Sequence, residues 1–369
     1  MILHLRGYAI HFNEIIIAMA YKNLNSWPRF LERKSHMKRH SAFISLMLLS
    51  MSSAYAADRM KSEGTEVSAD QVVEALEATF GITPGQRRNH IKGTCATGKF
   101  VGIVNPYSSS ALFSGKPVPV VARFSLAGGN PKAPDTARSP RGMALEFRLP
   151  KKAIQHMTML NVPMFGAAQP QTFLDALIAA RPDPATGKAN PEKVKAFRES
   201  HPDSKAQAEF MAKHNPPTSY ASSAFFGIHT FKFLDSKGNV TLVRWKFEPR
   251  DGEQRLSDEE MKSMPHDFLE EALLNRVKKG SAQWDMIATI GKTGDTETNP
   301  TIEWPSDRKQ VKLGTLSITA AMPQQGSECE GINYDPLVMS DGIEPTDDPI
   351  LNFRRPAYAI SFSKRVGEK

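Results

Sequence analysis

The sequence predicts an α+β protein built around a closed antiparallel β-barrel of eight strands. Three observations carry this reading: eight short runs rich in β-branched and aromatic residues, turn residues punctuating them, and one long helical stretch after the fourth run. A barrel of about eight strands has an interior filled by side chains or one small ligand. Periodicity alone leaves other large all-β domains open. At 369 residues the chain is long enough to bury a sizeable ligand.

Taken in order, the chain opens on a segment that reads as targeting. Met37-Lys38-Arg39-His40 is a basic start, residues 42–51 are an apolar run, and Ala54-Tyr55-Ala56 has the small-x-small form of a cleavage site. We therefore expect a secretory signal from Met37 to about Ala56, a periplasmic mature domain over 57–369, and residues 1–36 upstream of the native start. An amphipathic targeting extension around residues 15–20 is the alternative for that first stretch. The apolar run is too short to span a bilayer comfortably, so no membrane attachment is expected after cleavage.

Removing that segment changes the charge. The full chain has 47 Lys and Arg against 39 Asp and Glu, a net +8; without residues 1–56, 40 and 37 remain, a net +3. The basicity is thus largely a targeting effect, and with no basic patch or reading motif the chain is not expected to bind nucleic acid. Cys95 and Cys329 form no Cys-x-x-Cys or metal-ligand spacing. Two unpaired thiols are the expectation, with a Cys95–Cys329 bond, permitted in an oxidising compartment, as the alternative.

Residues 72–80 carry apolar positions at helical spacing and stop at Gly81 and Pro84. Strand runs follow at 100–104, 118–124, 144–149 and 157–162. The pattern turns helical over 172–211, broken near Pro182 and Pro184. Four further strands are expected at 229–234, 240–247, 284–290 and 311–319, the first two joined by a hairpin turn at 235–239 containing Gly238. Ser257-Asp258-Glu259-Glu260 has capping-box spacing and predicts one helix from there to about Lys279-Gly280.

Two distant clusters carry the chemistry: Arg87-Arg88-Asn89-His90, and Arg354-Arg355-Pro356-Ala357-Tyr358. A phenol ordinarily holds its proton to about pH 10 and binds ferric iron poorly until it loses it. If Arg354 and Tyr358 share a helix, their four-residue spacing sets guanidinium and phenol on one face, where the cation favours the phenolate. Tyr is a known axial ligand of haem iron.

Further segments extend the pattern: His90-Ile91-Lys92-Gly93, Arg123-Phe124-Ser125, residues 135–147 from Asp135-Thr136-Ala137-Arg138 through Arg141-Gly142-Met143, then His229-Thr230-Phe231-Lys232, Trp304-Pro305 and Asp341-Gly342-Ile343-Glu344-Pro345. In this order, from about Val72 to Arg365, the chain resembles the haem catalases, and more closely their short relatives, the catalase-related peroxidases. Ser139 and Met143 are mild departures from the family pattern.

The resemblance implies the catalase barrel, with haem, expected as haem b, between the barrel and a C-terminal helix carrying the iron ligand Tyr358. It implies His90 as the distal acid–base residue, since an imidazole can take a proton from one peroxide oxygen and deliver it to the other. Asn161 falls at the distal asparagine, and Ser125 at the partner that orients His90. Arg87, Arg123 and Arg365 match positions that hold the haem propionates, a role suited to an always-charged, two-pronged guanidinium. Arg354 is implied as the partner of Tyr358, with His229 and Asp348 as partners of that arginine. Gly166 and Ala167 replace bulkier family residues, which we expect to widen the pocket.

The expected function is a periplasmic haem peroxidase that reduces hydrogen peroxide or organic hydroperoxides with an electron donor, in antioxidant defence. The chain ends just after Arg365, without the C-terminal region of full-length catalases, which favours peroxidase over catalase and a monomer or small homo-oligomer. A true catalase and a haem-binding or storage protein are the alternatives. Finding both His90 and Asn161 speaks against mere storage.

Overall fold

The computed structural model describes residues 66–368. The upstream extension, signal segment and mature start expected above lie outside the described residues. The first helix, α1 (Ala69–Phe80), begins at a reciprocal cap: Ser68 Oγ accepts from Gln71 N at 3.2 Å and Gln71 Oε1 accepts from Ser68 N at 2.8 Å. Its buried face includes Val72, Val73 and Leu76.

Strands β1 (Gly93–Gly102), β2 (Pro117–Leu126), β3 (Arg141–Arg148) and β4 (Ile154–Leu160) then run as an antiparallel meander. The helical insertion follows as α2 (Pro170–Ala180), α3 (Pro191–Ser200) and α4 (Lys205–Lys213). After it come β5 (Phe225–Phe226), β6 (Phe231–Leu234) and β7 (Val240–Pro249), then α5 (Glu260–Ser263), α6 (Phe268–Lys278), β8 (Ala282–Ile290) and β9 (Gln310–Pro323). A short α7 (Glu328–Gly331), β10 (Ile343–Pro345) and the long α8 (Pro349–Gly367) complete the fold.

Eight strands close an antiparallel barrel in the order β1, β2, β3, β4, β5, β7, β8, β9 and back to β1. The expected strand at 229–234 is shorter and lies outside this closure. What forms of it is β6, at 231–234, which pairs the first half of β7 and receives β10; the barrel strand that bridges β4 and the second half of β7 is the unexpected β5 at 225–226. His229 sits in the gap, released from the ladder. Phe100, Phe124, Phe147, Phe225, Phe247 and Trp284 are fully buried and fill the core. At roughly 1.5–3 kcal/mol for each large apolar side chain buried, that core secures the barrel and directs a large ligand to its outer wall.

Two expectations need correction. The single helix from Ser257 is two: the capping box forms, with Ser257 N on Glu260 Oε2 at 2.7 Å and Glu260 N on Ser257 Oγ at 3.2 Å. The helix nevertheless stops at Ser263, because Pro265 forces the preceding Met264 out of helical conformation (ψ 140°). Nor are the cysteines unpaired. Cys95 on β1 and Cys329 on α7 form a disulfide across 234 residues, with Cα atoms 5.6 Å apart. The barrel brings β1 beneath α7, a neighbourhood that no local spacing encodes.

Candidate active site

Helices α1, α2 and α8 pack over the outer face of β2–β4, and a cavity of about 440 Å³ lies between them. That is within the range of ligand sites, roughly 300–1,000 Å³. Its walls are apolar along α1 (Val72, Val73, Leu76), α2 (Phe173, Leu177) and Phe353 of α8. Polar groups meet it at three places.

The first is the loop after α1. His90 adopts φ +52°, a left-handed conformation uncommon for residues other than glycine. Asn89 fixes the turn: its Oδ1 accepts from His90 N and from Gly128 N, both at 2.8 Å. The imidazole then lies against the backbone of Gly142, where a Cβ would come 3.1 Å from its Nδ1 and Cε1, so only glycine leaves room for the ring. Nδ1 is 3.0 Å from Ser125 Oγ, which fixes the ring plane and leaves Nε2 free. Burial, aided by the charges of Arg123, Arg354 and Arg87, pushes His90 down to about pKa 3, so the imidazole is neutral and able to accept a proton.

The second is the opposing face on α8. Asp348 caps the helix, its Oδ1 accepting from Ile350 N at 2.8 Å and Leu351 N at 3.2 Å, while Oδ2 meets His229 Nδ1 at 2.7 Å. His229 Nε2 lies 3.1 Å from Arg354 Nη1. A guanidinium only donates, so Nε2 accepts and Nδ1 carries the proton given to Asp348. Arg354 Nη2 donates to Thr158 Oγ1 at 2.7 Å and to Tyr358 Oη at 2.6 Å. The chain Asp348–His229–Arg354 thus fixes a guanidinium against the phenol oxygen.

The third is a cluster of guanidiniums. Arg87 donates to the Cys329 and Ile332 carbonyls, Arg123 to the His90 and Ile91 carbonyls and to Gln324 Oε1, and Arg365 to the Glu330 carbonyl. Among the described residues no carboxylate is hydrogen-bonded to any of the three. Burial and mutual repulsion pull Arg87 down to about 8 and Arg123 to about 10, and burial lowers Arg365. The cluster is built for an incoming anion.

The cavity therefore gathers His90, Ser125, Arg87, Arg123, His229, Arg354, Tyr358 and Arg365. Two expected site residues stand behind it. Asp348 acts through His229, and Asn161 lies one residue past the lining Leu160, its Oδ1 accepting from Arg141 N at 2.7 Å. Thr158 and Tyr334 went unread in the sequence. Thr158 is legible only from the β3–β4 register, which sets it opposite the lining residue Ala144. Expected widening at Gly166 and Ala167 does not occur: Ala167 is buried, and Gln207 of α4 lies against Gly166, its Nε2 bonded to the Met164 carbonyl at 3.0 Å.

An apolar-walled cavity between the Arg354-bonded Tyr358 and the neutral His90, with guanidiniums at one edge, defines a barrel-and-helix protein with a ligand site on its outer wall. The chain belongs to the catalase family, whose model matches residues 50–369. It is 56% identical to a catalase-related peroxidase of Synechococcus elongatus, covering 88% of this chain and 96% of that one, and 31% identical to a catalase-related peroxidase of Mycolicibacterium paratuberculosis over 82% and 96%. A solved bacterial catalase has the same fold, with TM-score 0.71 at 24% identity; the match covers 83% of this chain and 64% of that one.

Proposed function

We propose that this chain is a haem peroxidase that reduces hydrogen peroxide or organic hydroperoxides at the expense of an electron donor, in periplasmic antioxidant defence. The observation that carries the reading is the neutral imidazole of His90 across one cavity from the Tyr358–Arg354 pair. Haem fits the donor set: an anionic oxygen for iron, apolar walls for the macrocycle, and guanidiniums without carboxylate partners for its two acid groups.

Bound there, the iron would supply the two-electron reduction of the peroxide O–O bond. The protein's residues do the rest. Tyr358 Oη, held by Arg354, offers the iron negative charge. His90 Nε2 takes the proton from the peroxide oxygen nearer the iron and returns it to the departing oxygen, which leaves as water or an alcohol. Ser125 holds the ring during both transfers. Asn161, behind the cavity, accepts from Arg141 N and so fixes the start of β3 beside Gly142. The apolar side chains of α1 and α2 keep bulk water from the reacting atoms.

The test is the haem-loaded protein assayed in parallel for oxygen release from hydrogen peroxide and for dye oxidation with an organic hydroperoxide, beside His90→Asn. Asn tolerates the left-handed backbone of position 90 but has no useful proton affinity. Dye oxidation with little oxygen, falling about 10²–10⁴-fold in the variant, supports the reading. Rapid oxygen release makes the protein a catalase. A haem spectrum with neither activity, or a variant with full turnover, sinks the peroxidase assignment.

A further inference from the structure

The short segment from Cys329 to Tyr334 serves two members of the arginine cluster at once and adds a phenol beside them. Its Cys329 and Ile332 carbonyls hold Arg87 Nη2 at 3.3 and 2.7 Å, and its Glu330 carbonyl holds Arg365 Nη1 at 2.9 Å. Tyr334 lines the same end of the cavity, in the electrostatic field of Arg87 and Arg123. The residue is 6% exposed, and its hydroxyl is buried without a hydrogen-bond partner. Leaving such a group unpaired costs about 1–3 kcal/mol, so in a native protein it calls for an explanation.

The disulfide anchors this segment where it matters. Cys95, Val121, Cys329 and Tyr334 pack as one apolar cluster apart from the main core. In the β1–β2 ladder Cys95 is paired directly with Arg123. One covalent bond therefore fixes the segment to the strand position beside the third arginine. Arg87, Arg123, Arg365 and the orphan phenol are all referenced to it.

We propose that the Tyr334 hydroxyl is a further hydrogen-bond donor to the acid groups of the ligand seated on Arg87, Arg123 and Arg365, and that the Cys95–Cys329 bond positions it there. The proposal rests on the haem reading in one respect: the acid groups are taken to be haem carboxylates. Burial pushes the phenol well above its ordinary pKa, so it remains a donor at any pH the protein meets. Tyr334 is a positioning residue; it acts on no reacting atom.

The experiment is haem transfer from the loaded full chain to excess apo-globin, followed by absorbance, for the parent, Tyr334→Phe and the Cys95→Ala/Cys329→Ala pair. It is then repeated with haem dimethyl ester, whose acid groups are blocked. With free haem, Tyr334→Phe should release about ten-fold faster, the worth of one hydrogen bond to a charged group, and the cysteine pair should release faster as well. With the ester, whose carbonyl oxygens are only neutral acceptors, the difference between parent and Tyr334→Phe should shrink to a few-fold or less. Equal rates with free haem overturn the donor role; a gap undiminished with the ester assigns the effect to ring packing and overturns it too. Unchanged release in a folded cysteine pair overturns the positioning role, with Cys95→Val/Cys329→Ala replacing the pair if it does not fold. A parent chain that takes up no haem overturns the haem reading itself, and this inference with it.

Discussion

His90 holds two costs at one position, a left-handed backbone and a neutral imidazole beneath three guanidiniums. Both are features of pre-organisation, since the neutral form is the one that can take a proton. The same shift has a thermodynamic reading. His90 falls from an ordinary 6.5 to about 3 in the folded state, so between those values the unfolded chain binds the extra proton and the folded one does not. Stability therefore falls as pH drops from about 6.5 toward 3, and is unaffected by this group above 6.5. In the haem-free protein His90→Asn should give a flatter profile over that window. Urea midpoints at pH 7, 5.5 and 4 check it, and parallel profiles would contradict the shift. His90, Tyr358 and the arginines were named in the sequence through the ordered resemblance, since a lone His or Arg carries no such signal. Thr158 and Tyr334 were not, since a strand Thr and a loop Tyr look the same wherever they point.

Among the elements, the insertion α2–α4 is where local pattern misled most about function. Small residues at 166 and 167 read as open space, yet α4 returns Gln207 across Gly166 and closes it. Local sequence can show a missing side chain but not which distant one fills the gap. Gln207 lines the cavity there. Gln207→Ala should raise kcat/KM for a bulky hydroperoxide relative to hydrogen peroxide by several-fold, about 1–3 kcal/mol of pocket space at most; an unchanged ratio would place Gln207 outside the substrate's path. The gap between β5 and β6 is the second element-scale surprise. Phe231–Leu234 pairs as a strand should, while His229 leaves the ladder and turns to Asp348 and Arg354.

For the whole molecule, one cross-link joins the first barrel strand to the segment ahead of the last helix. Its loop of 234 residues is long enough that the unfolded chain loses considerable freedom when it is closed. Replacing both cysteines by Ala should lower the unfolding free energy by about 2–5 kcal/mol. Denaturant unfolding of oxidised parent and variant measures it, and identical midpoints would mean that the bond acts only locally.

By itself the sequence determined the class of fold, seven of the eight barrel strands and, through its ordered motifs, the helix of Tyr358 and the residues expected to face the ligand. Each of these is written in short range, as period, turn residue or ordered motif. Tertiary structure decided what depends on two distant segments meeting: the Cys95–Cys329 bond, the placing of Asp348 behind His229, the closure of Gly166 by Gln207, and the unpaired hydroxyl of Tyr334. The reason is that contact across a closed barrel is set by the register and packing of the whole sheet, which no single stretch of chain contains.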